Sequence, residues 1–418
     1  MKDFDNSLVR YVELLVKLGA NVQPDQQVLI MAEPSCLHLA EIAAEFCYQR
    51  GARYVDVNIS LPKVARHHLL LAPPNRLTYL PLHNTVRMDQ LVDSNGALIA
   101  LRSQDEPDLY EDLDEPQQKR LNQMLVARRE AVKRYREEGV LERRVGWCLG
   151  GPPSPKWAQK VFPTLSESNA TRALWNDIFS MTFADHSDCL QLWSDHLDRL
   201  ARRTALLDSK QIEKLRFINE SNGTDLTVTL SDKARWVSGR KQTAQGVDVC
   251  LNIPTYEVFT TPDWRGTNGE VALTRPVMIN GTLVEGLKIK FQDGEIVETS
   301  ADKNGAAYDA LINTAGDPTA KRLGEVALVG VDSPIFQSGR VYQHTLYDEN
   351  AACHIATGMA YTIGIENGDK LSPDELDKLG FNRQAKTHQD VMISDESTTV
   401  LADGQEVIVD GAWVAEFR

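Results

Sequence analysis

Basic residues are scarce in this chain. Its 418 residues include 45 lysines and arginines against 59 aspartates and glutamates, so the formal net charge is −14, and no block of basic residues occurs. Nucleic acids and anionic membrane surfaces attract basic protein faces. We therefore expect neither kind of partner.

Long apolar runs and secretion signals are also missing. No apolar run approaches the roughly 18 residues that a membrane-spanning helix needs. The opening stretch MKDFDNSLVRYVELLVKLG places acids where a signal peptide is basic, and no long apolar core follows. The six cysteines are scattered without a C-x-x-C pair, which is typical of reduced thiols in a chain of this length. These features predict a cytoplasmic protein.

Several short catalytic and nucleotide-binding motifs do not occur. The absence of G-x-G-x-x-G and G-x-x-x-x-G-K-[ST] removes support for a phosphate-binding loop. The absence of G-x-S-x-G weakens a serine hydrolase interpretation, and the absence of H-E-x-x-H excludes a zincin. A functional site must then be assembled from residues that are dispersed along the chain.

The length and the pattern of the chain predict two domains, residues 1–210 and 211–418. In the first, the helical patterns LVRYVELLVKLG and LHLAEIAAEFCYQRG alternate with the strand patterns QVLIMAE and ARYVDVNIS. Such alternation predicts an α/β domain with a mainly parallel sheet. Two later stretches, 117–139 and 171–203, are also predicted to be helical.

After about residue 210 the sequence pattern changes to short runs of alternating apolar and polar residues, separated by turn signals. SNGTD lies between two such runs, and Asn280-Gly281 and Asp293-Gly294 are strong hairpin signals. The second domain is therefore predicted to be a mixed or antiparallel sheet with a few helices. The overall fold class is α/β followed by α+β.

Histidine–aspartate pairs at a spacing of two residues are candidate metal ligands. On a helix, residues two apart point roughly 200° apart, whereas on a strand they face the same side. The first two pairs lie in a predicted helix, where exposed or capping polar residues are the simpler interpretation. The third lies in the strand-like run KTHQDVMIS, where both side chains can address one site. The pairs are His186 with Asp188, His196 with Asp198, and His388 with Asp390.

The stretch LYDENAACHIATGMAY combines acids, a histidine and a tyrosine with small residues. We predict a helix from Ala351 to Tyr361, with His354, Gly358 and Tyr361 on one face and Glu349 just before its N-terminus. A carboxylate at a helix N-terminus is also favoured by the helix dipole, and His354 has an alternative as a packed core histidine.

Two further acids interrupt apolar runs. Glu257 lies in NIPTYEVFTTP and Glu325 in RLGEVALV. A carboxylate in such a run either lies at an edge facing water or is paired with a cation, because its burial is otherwise costly. Together with the residues above, these acids favour one or two ions of zinc, cobalt or manganese.

Five motifs, NIPTYEVFTTP, RLGEVALV, DSPI, LYDENAACHIA and HQDVMI, occur in this order and closely resemble the M29 family of metallo-aminopeptidases. The resemblance implies a cytoplasmic, homodimeric exopeptidase that acts on peptides with a free N-terminus. It implies a centre of two divalent ions in the C-terminal domain, with Tyr361 beside it. Tyr256 departs from the small or acidic residue expected before Glu257. The metal ligands that the resemblance implies are Glu257, Glu325, Glu349, His354, His388 and Asp390.

The resemblance also implies a mechanism, in which Glu325 bridges two ions about 3.5–4 Å apart and a metal-activated water attacks the peptide carbonyl. Tyr361 is expected to donate a hydrogen bond to the developing oxyanion. Two alternatives stay open. One is an Fe(II)-dependent ring-cleaving dioxygenase on the same fold, since two histidines and a carboxylate suffice to hold iron. The other is a non-catalytic binding protein.

Overall fold

A computed structural model describes residues 2–313 and 317–418. The chain divides into two compact units, Met1–Asp195 with Arg240–Pro254, and His196–Gly239 with Thr255–Arg418. Each unit is therefore made from two separate segments of chain. The single boundary between residues 210 and 211 stays a prediction.

The helices and strands are numbered in chain order. The helices are α1 Lys2–Leu14, α2 Leu37–Gln49, α3 Pro62–Leu71, α4 Leu82–Asp93, α5 Glu115–Ala131, α6 Pro155–Val161, α7 Glu167–Met181, α8 Cys189–Ser209, α9 Gly305–Ile312, α10 Pro334–Gln337, α11 Thr345–Asp348 and α12 Pro373–Lys378. The strands are β1 Gln27–Ala32, β2 Tyr54–Ile59, β3 Ala97–Leu101, β4 Gly146–Gly150, β5 Lys214–Asn219, β6 Thr224–Thr229, β7 Arg240–Gln242, β8 Asp248–Cys250, β9 Asn252–Ile253, β10 Val258–Thr260, β11 Asn268–Ala272, β12 Val277–Ile279, β13 Thr282–Val284, β14 Lys288–Gln292, β15 Glu295–Ser300, β16 Leu323–Leu328, β17 His354–Gly358, β18 His388–Met392, β19 Thr399–Ala402, β20 Gln405–Val409 and β21 Ala412–Trp413.

The first unit is built on a parallel sheet in the order β2-β1-β3-β4-β9. Every residue of β3, the run ALIAL, is buried, as the continuous apolar run of a central parallel strand requires. Leu29 and Leu98 of the sheet pack with Leu91 and Val92 of α4. The predicted α/β fold with a mainly parallel sheet is confirmed.

The predicted helix over 171–203 is wrong as one element. It is two helices, because α7 ends at Met181 and α8 begins at Cys189, with Phe183 at a left-handed φ of 56° between them. His186 and Asp188 lie in this break. In the described residues of the chain, no helix is both long and apolar enough to cross a membrane.

The second unit contains an eight-stranded sheet in the order β15-β14-β11-β6-β5-β19-β20-β21, and each of its pairings is antiparallel. Asn280-Gly281 joins β12 to β13 and Asp293-Gly294 joins β14 to β15, in each case with both residues at positive φ. This backbone conformation matches the twist of paired strands and suits asparagine, aspartate and glycine. The predicted hairpins are confirmed.

A second sheet of this unit, β10-β16-β17-β18, is antiparallel throughout, and all residues of β16 and β17 are buried. The predicted helix from Ala351 to Tyr361 is therefore wrong. The residues His354–Gly358 form the strand β17, whose backbone is paired with β16 on one side and β18 on the other. Gly358 has a φ of 104°, and a Cβ atom there would collide with the carbonyl oxygen of Thr387.

Candidate metal centre

The register of the four-stranded sheet assembles four of the candidate ligands. Ala356 of β17 lies opposite Glu325 on one side and opposite Asp390 on the other. His354 and His388 are two residues from Ala356 and Asp390, respectively. Because directly opposed residues and residues two apart share a face, all four polar side chains lie on one face of the sheet.

The two remaining acids reach this face from outside the strands. Glu257 directly precedes β10. Glu349 follows α11 and begins a short 3₁₀ turn, Glu349–Ala351, which precedes β17. Glu349 is thus at the C-terminal end of a helix, and its predicted position before a helix N-terminus is wrong.

Glu325 lies between the two histidines. Its Oε1 is 3.8 Å from Nε2 of His354, and its Oε2 is 3.8 Å from Nε2 of His388. Glu257 Oε2 is 3.1 Å from His354 Nε2, and Asp390 Oδ1 is 3.5 Å from His388 Nε2. These distances define two groups of ligand atoms that share Glu325.

The first group is compact. Glu257, Glu325 and His354 each present a ligand atom within 4.8 Å of the other two, and all three residues are buried. The second group consists of Glu325, His388 and Asp390. Glu349 is half-buried, and its electrostatic contacts are with members of both groups.

The backbone orients both histidines in the same way. Nδ1 of His388 is 2.7 Å from the carbonyl oxygen of Met359, and Nδ1 of His354 is 3.2 Å from that of Ala352. A carbonyl oxygen accepts a hydrogen bond, so the proton of each neutral ring is on Nδ1. The Nε2 lone pair then points at the carboxylates, which is the arrangement that metal-ligating histidines use.

The burial and the concentration of acids shift the pKa values of several groups in the cluster. Burial raises the pKa of Glu325 and raises that of Glu349 well above its usual range, and the neighbouring carboxylates add to both effects. Burial lowers the pKa of His388, but the Asp390 and Glu325 carboxylates and the Met359 carbonyl together outweigh this and raise it to about 9. Burial opposes ionisation of Asp390, whereas the charge of His388 keeps the pKa of that carboxyl low.

The donor set fits divalent cations. Four carboxylates gathered around two imidazoles carry an excess of negative charge, and burying such charge is costly unless cations balance it. Carboxylate oxygen and imidazole nitrogen are ligands of zinc, cobalt and manganese. The alternatives of edge acids facing water and of an ordinary core histidine do not agree with this burial and this geometry.

Tyr361 also lies at the cluster, although the predicted helix that was to place it there does not form. It follows β17 rather than standing on a helix with His354. Its ring is tilted against that of His388, with 4.9 Å between the ring centroids. Tyr361 is half-buried and therefore keeps one side towards open space.

The other two histidine–aspartate pairs are not part of the cluster. His186 is exposed in the break between α7 and α8. His196 is buried in α8 rather than exposed, with its Nε2 2.8 Å from the carbonyl oxygen of Thr255 and its ring 4.5 Å from that of Tyr256. The expectation of an exposed or capping residue is thus wrong for His196. The expectation that only His388 and Asp390 converge agrees with the structure.

Residues 4–413 match the protein family described as thermophilic metalloprotease (M29). Aminopeptidase 2 of Geobacillus stearothermophilus is 36% identical to the chain over 424 residues, which cover 100% of both proteins. The chain belongs to the M29 family. The resemblance stated from the motifs is confirmed, and so is the enzyme class, a metallo-aminopeptidase.

Solved structures agree with this M29 assignment. Wild-type AmpT from Thermus thermophilus superposes with a TM-score of 0.88 at 33% identity, covering 99% of this chain and 100% of that one. A 2,5-dihydroxypyridine dioxygenase from Pseudomonas putida KT2440 superposes with a TM-score of 0.54 at 13% identity, covering 99% of this chain and 98% of that one. The latter likeness shows a shared fold alone.

Proposed function

We propose that this M29 protein releases N-terminal amino acids from peptides by means of a water activated at a centre of two divalent metal ions. The observation that carries the proposal is the placement of Glu325, whose two carboxylate oxygens each lie 3.8 Å from a different histidine. A carboxylate that faces two ligand groups in this way is suited to bridge two ions.

The proposed ligands divide between the two groups. Glu257, Glu325 and His354 would hold one ion, and Glu325, His388 and Asp390 would hold the other. Glu349 completes the set from the turn after α11. We propose zinc, cobalt or manganese, because these ions accept mixed oxygen and nitrogen ligands without thiolate.

The bound ions would supply an activated water near neutral pH and polarise the scissile carbonyl. Tyr361, beside His388, is placed to donate a hydrogen bond to the oxygen on which negative charge develops. The free α-amine of the substrate is recognised by a metal or by a carboxylate of the cluster. That recognition restricts cleavage to the N-terminal residue.

The family resemblance is also the basis for a proposed oligomeric state and cellular compartment. We propose a cytoplasmic homodimer that acts on peptides with a free N-terminus. Light scattering on the purified protein tests the dimer, and fractionation of the cells that produce it tests the compartment.

One experiment tests the proposed activity: metal analysis of the purified protein alongside hydrolysis of a panel of aminoacyl-p-nitroanilides and their N-acetylated counterparts. Two equivalents of zinc, cobalt or manganese with hydrolysis of the free-amine substrates alone would support the proposal. The variant Glu325→Gln keeps the shape of the side chain but removes its charge, and it should lose both metal and activity.

The dioxygenase alternative rests on the shared fold and on the presence of two histidines with a carboxylate. It predicts one equivalent of iron and oxygen-dependent cleavage of a hydroxypyridine ring. The presence of four carboxylates in the cluster disfavours the dioxygenase alternative, because one Fe(II) ion held by two histidines needs a single carboxylate. Bound metal without either activity would instead indicate a binding protein.

A further inference from the structure

Asn350 is the residue that follows Glu349, and its side-chain amide is fully buried. The oxygen Oδ1 accepts a hydrogen bond from the backbone N–H of Tyr256 at 2.6 Å. The nitrogen Nδ2 donates to the carbonyl oxygen of Leu346 at 2.9 Å and lies 3.5 Å from Oε1 of Glu349. One side chain thus connects two segments that are 94 residues apart.

The two connected segments each carry a carboxylate of the cluster. Glu257 comes directly after Tyr256, and Glu349 comes directly before Asn350. Neither acid belongs to a strand, whereas Glu325 and Asp390 are held by the backbone pairing of their sheet. The side-chain hydrogen bonds of Asn350 therefore join the two segments that carry Glu257 and Glu349.

Asn350 is itself held firmly. Its backbone carbonyl oxygen accepts a hydrogen bond from Oγ of Ser333 at 2.6 Å, and its side-chain Nδ2 donates to the carbonyl oxygen of Leu346. Both polar atoms of the amide are used, and a buried amide with all its partners is rigid. A side chain that only donates or only accepts cannot make both connections.

We propose that Asn350 is a positioning residue that sets the distance between the Glu257 and Glu349 carboxylates and thereby the affinity for metal. The inference rests on the proposed metal centre. Residues that orient metal ligands through hydrogen bonds typically change metal affinity by about 10- to 100-fold when they are removed.

The test compares the wild-type protein with Asn350→Ala and Asn350→Ser. A serine hydroxyl can still donate to the carbonyl oxygen four residues earlier, but it cannot reach the N–H of Tyr256. Asn350→Ser therefore keeps the local turn and provides a variant that folds if Asn350→Ala does not. The measurements are the affinity for Co²⁺ alone by chelator competition, the Co²⁺ absorption spectrum, and the unfolding temperature in chelator.

Asn219 provides a matched control in the same unit. It is fully buried, and its Nδ2 donates to Oδ1 of Asp395 at 2.7 Å, away from the acids of the cluster. Asn219→Ala should lower the unfolding temperature and leave the Co²⁺ affinity and spectrum unchanged. Both Asn350 variants should bind Co²⁺ at least about 10-fold more weakly and show an altered spectrum.

The experiment distinguishes a failure of the positioning role from a failure of the proposed function. If the folded Asn350 variants bind Co²⁺ within twofold of the wild-type affinity and with the same spectrum, the positioning role is wrong and the metal centre stands. If the wild-type protein binds none of Co²⁺, Zn²⁺ and Mn²⁺, the proposed function fails, and this inference fails with it. A loss of Co²⁺ affinity in Asn219→Ala equal to that in the Asn350 variants would also overturn the role.

Discussion

Glu325 and Asp390 face each other across β17, with Ala356 directly between them. Ala356 is fully buried, and its methyl group is the floor between the two carboxylates. A larger side chain at this position would stand where the proposed ions and substrate approach. We therefore expect the small side chain of Ala356 to leave room at the site, from a strand and not from the predicted helix.

The substitution Ala356→Leu is expected to reduce turnover by at least about tenfold, a barrier increase of roughly 1.4 kcal/mol, because the added carbons crowd the centre without removing a ligand. Ile355→Val is the control, since it changes a buried side chain on the opposite face of β17. It should cost about 1 kcal/mol of stability and leave the activity intact. Turnover and metal content are to be measured on both variants. A fully active Ala356→Leu protein would show that the reaction does not need the space above Ala356.

Gly358→Ala is expected to destabilise the fold by about 1–3 kcal/mol, because the residue has a φ of 104° and an added Cβ atom meets the Thr387 carbonyl. Denaturant unfolding provides the measurement. Gly223→Ala is a matched control, since Gly223 also has a positive φ but has open space around the position of a Cβ atom. Equal destabilisation of the two variants would mean that backbone strain alone matters at Gly358 and that the collision does not.

Removal of metal should abolish activity and lower the unfolding temperature together. The buried carboxylates lose the cations that balance them, and a ligand that binds the folded state alone stabilises it. We expect zinc, cobalt or manganese to restore both properties after dialysis against a chelator. Calorimetry with parallel rate assays would show this, and full activity in protein shown to be free of metal would rule out the proposed mechanism.

His388→Ala should lose nearly all activity, because it removes a proposed metal ligand and the contact with Tyr361. His186→Ala should retain most of its activity, since His186 is exposed in the break between α7 and α8. Both variants are to be compared at equal folded fraction by circular dichroism. A loss in His186→Ala as large as that in His388→Ala would contradict the placement of the three pairs.

The burial of His196 leads us to expect that the protein loses stability in mild acid. Burial lowers the pKa of this histidine from about 6.5 to about 4, so between these values the unfolded chain binds more protons than the folded chain. Stability is complete above the unfolded pKa and falls as the pH drops towards 4, by about 2 kcal/mol at pH 5.

The variant His196→Gln removes this titration while its amide can still donate to the Thr255 carbonyl. Unfolding free energies at pH 7.5 and pH 5, measured in chelator, should therefore differ less for the variant than for the wild-type protein. If the two proteins lose equal stability on acidification, His196 is not the group responsible.

The local pattern of the sequence was sufficient for several features. Asn280-Gly281 and Asp293-Gly294 favour the left-handed backbone of hairpin turns whatever surrounds them. His388 and Asp390 share a face because the side-chain period of a strand is two. Glu257 and Glu325 interrupt apolar runs, where a carboxylate either faces water or needs a cation. The full set of candidate ligands came from the resemblance to the M29 family.

Other features were decided by the tertiary structure. The run from His354 to Gly358 mixes the β-branched Ile355 and Thr357 with Ala356 and Gly358, which do not favour strands. Its backbone forms a strand by pairing with β16 and β18, which lie elsewhere in the chain. The bond between Asn350 and Tyr256 spans 94 residues and leaves no local pattern. The sequence by itself determined the family and, through its motifs, the candidate ligands. Only the folded sheet decided how they meet, because the partners that hold them are distant in sequence and their pairing has no periodic signal.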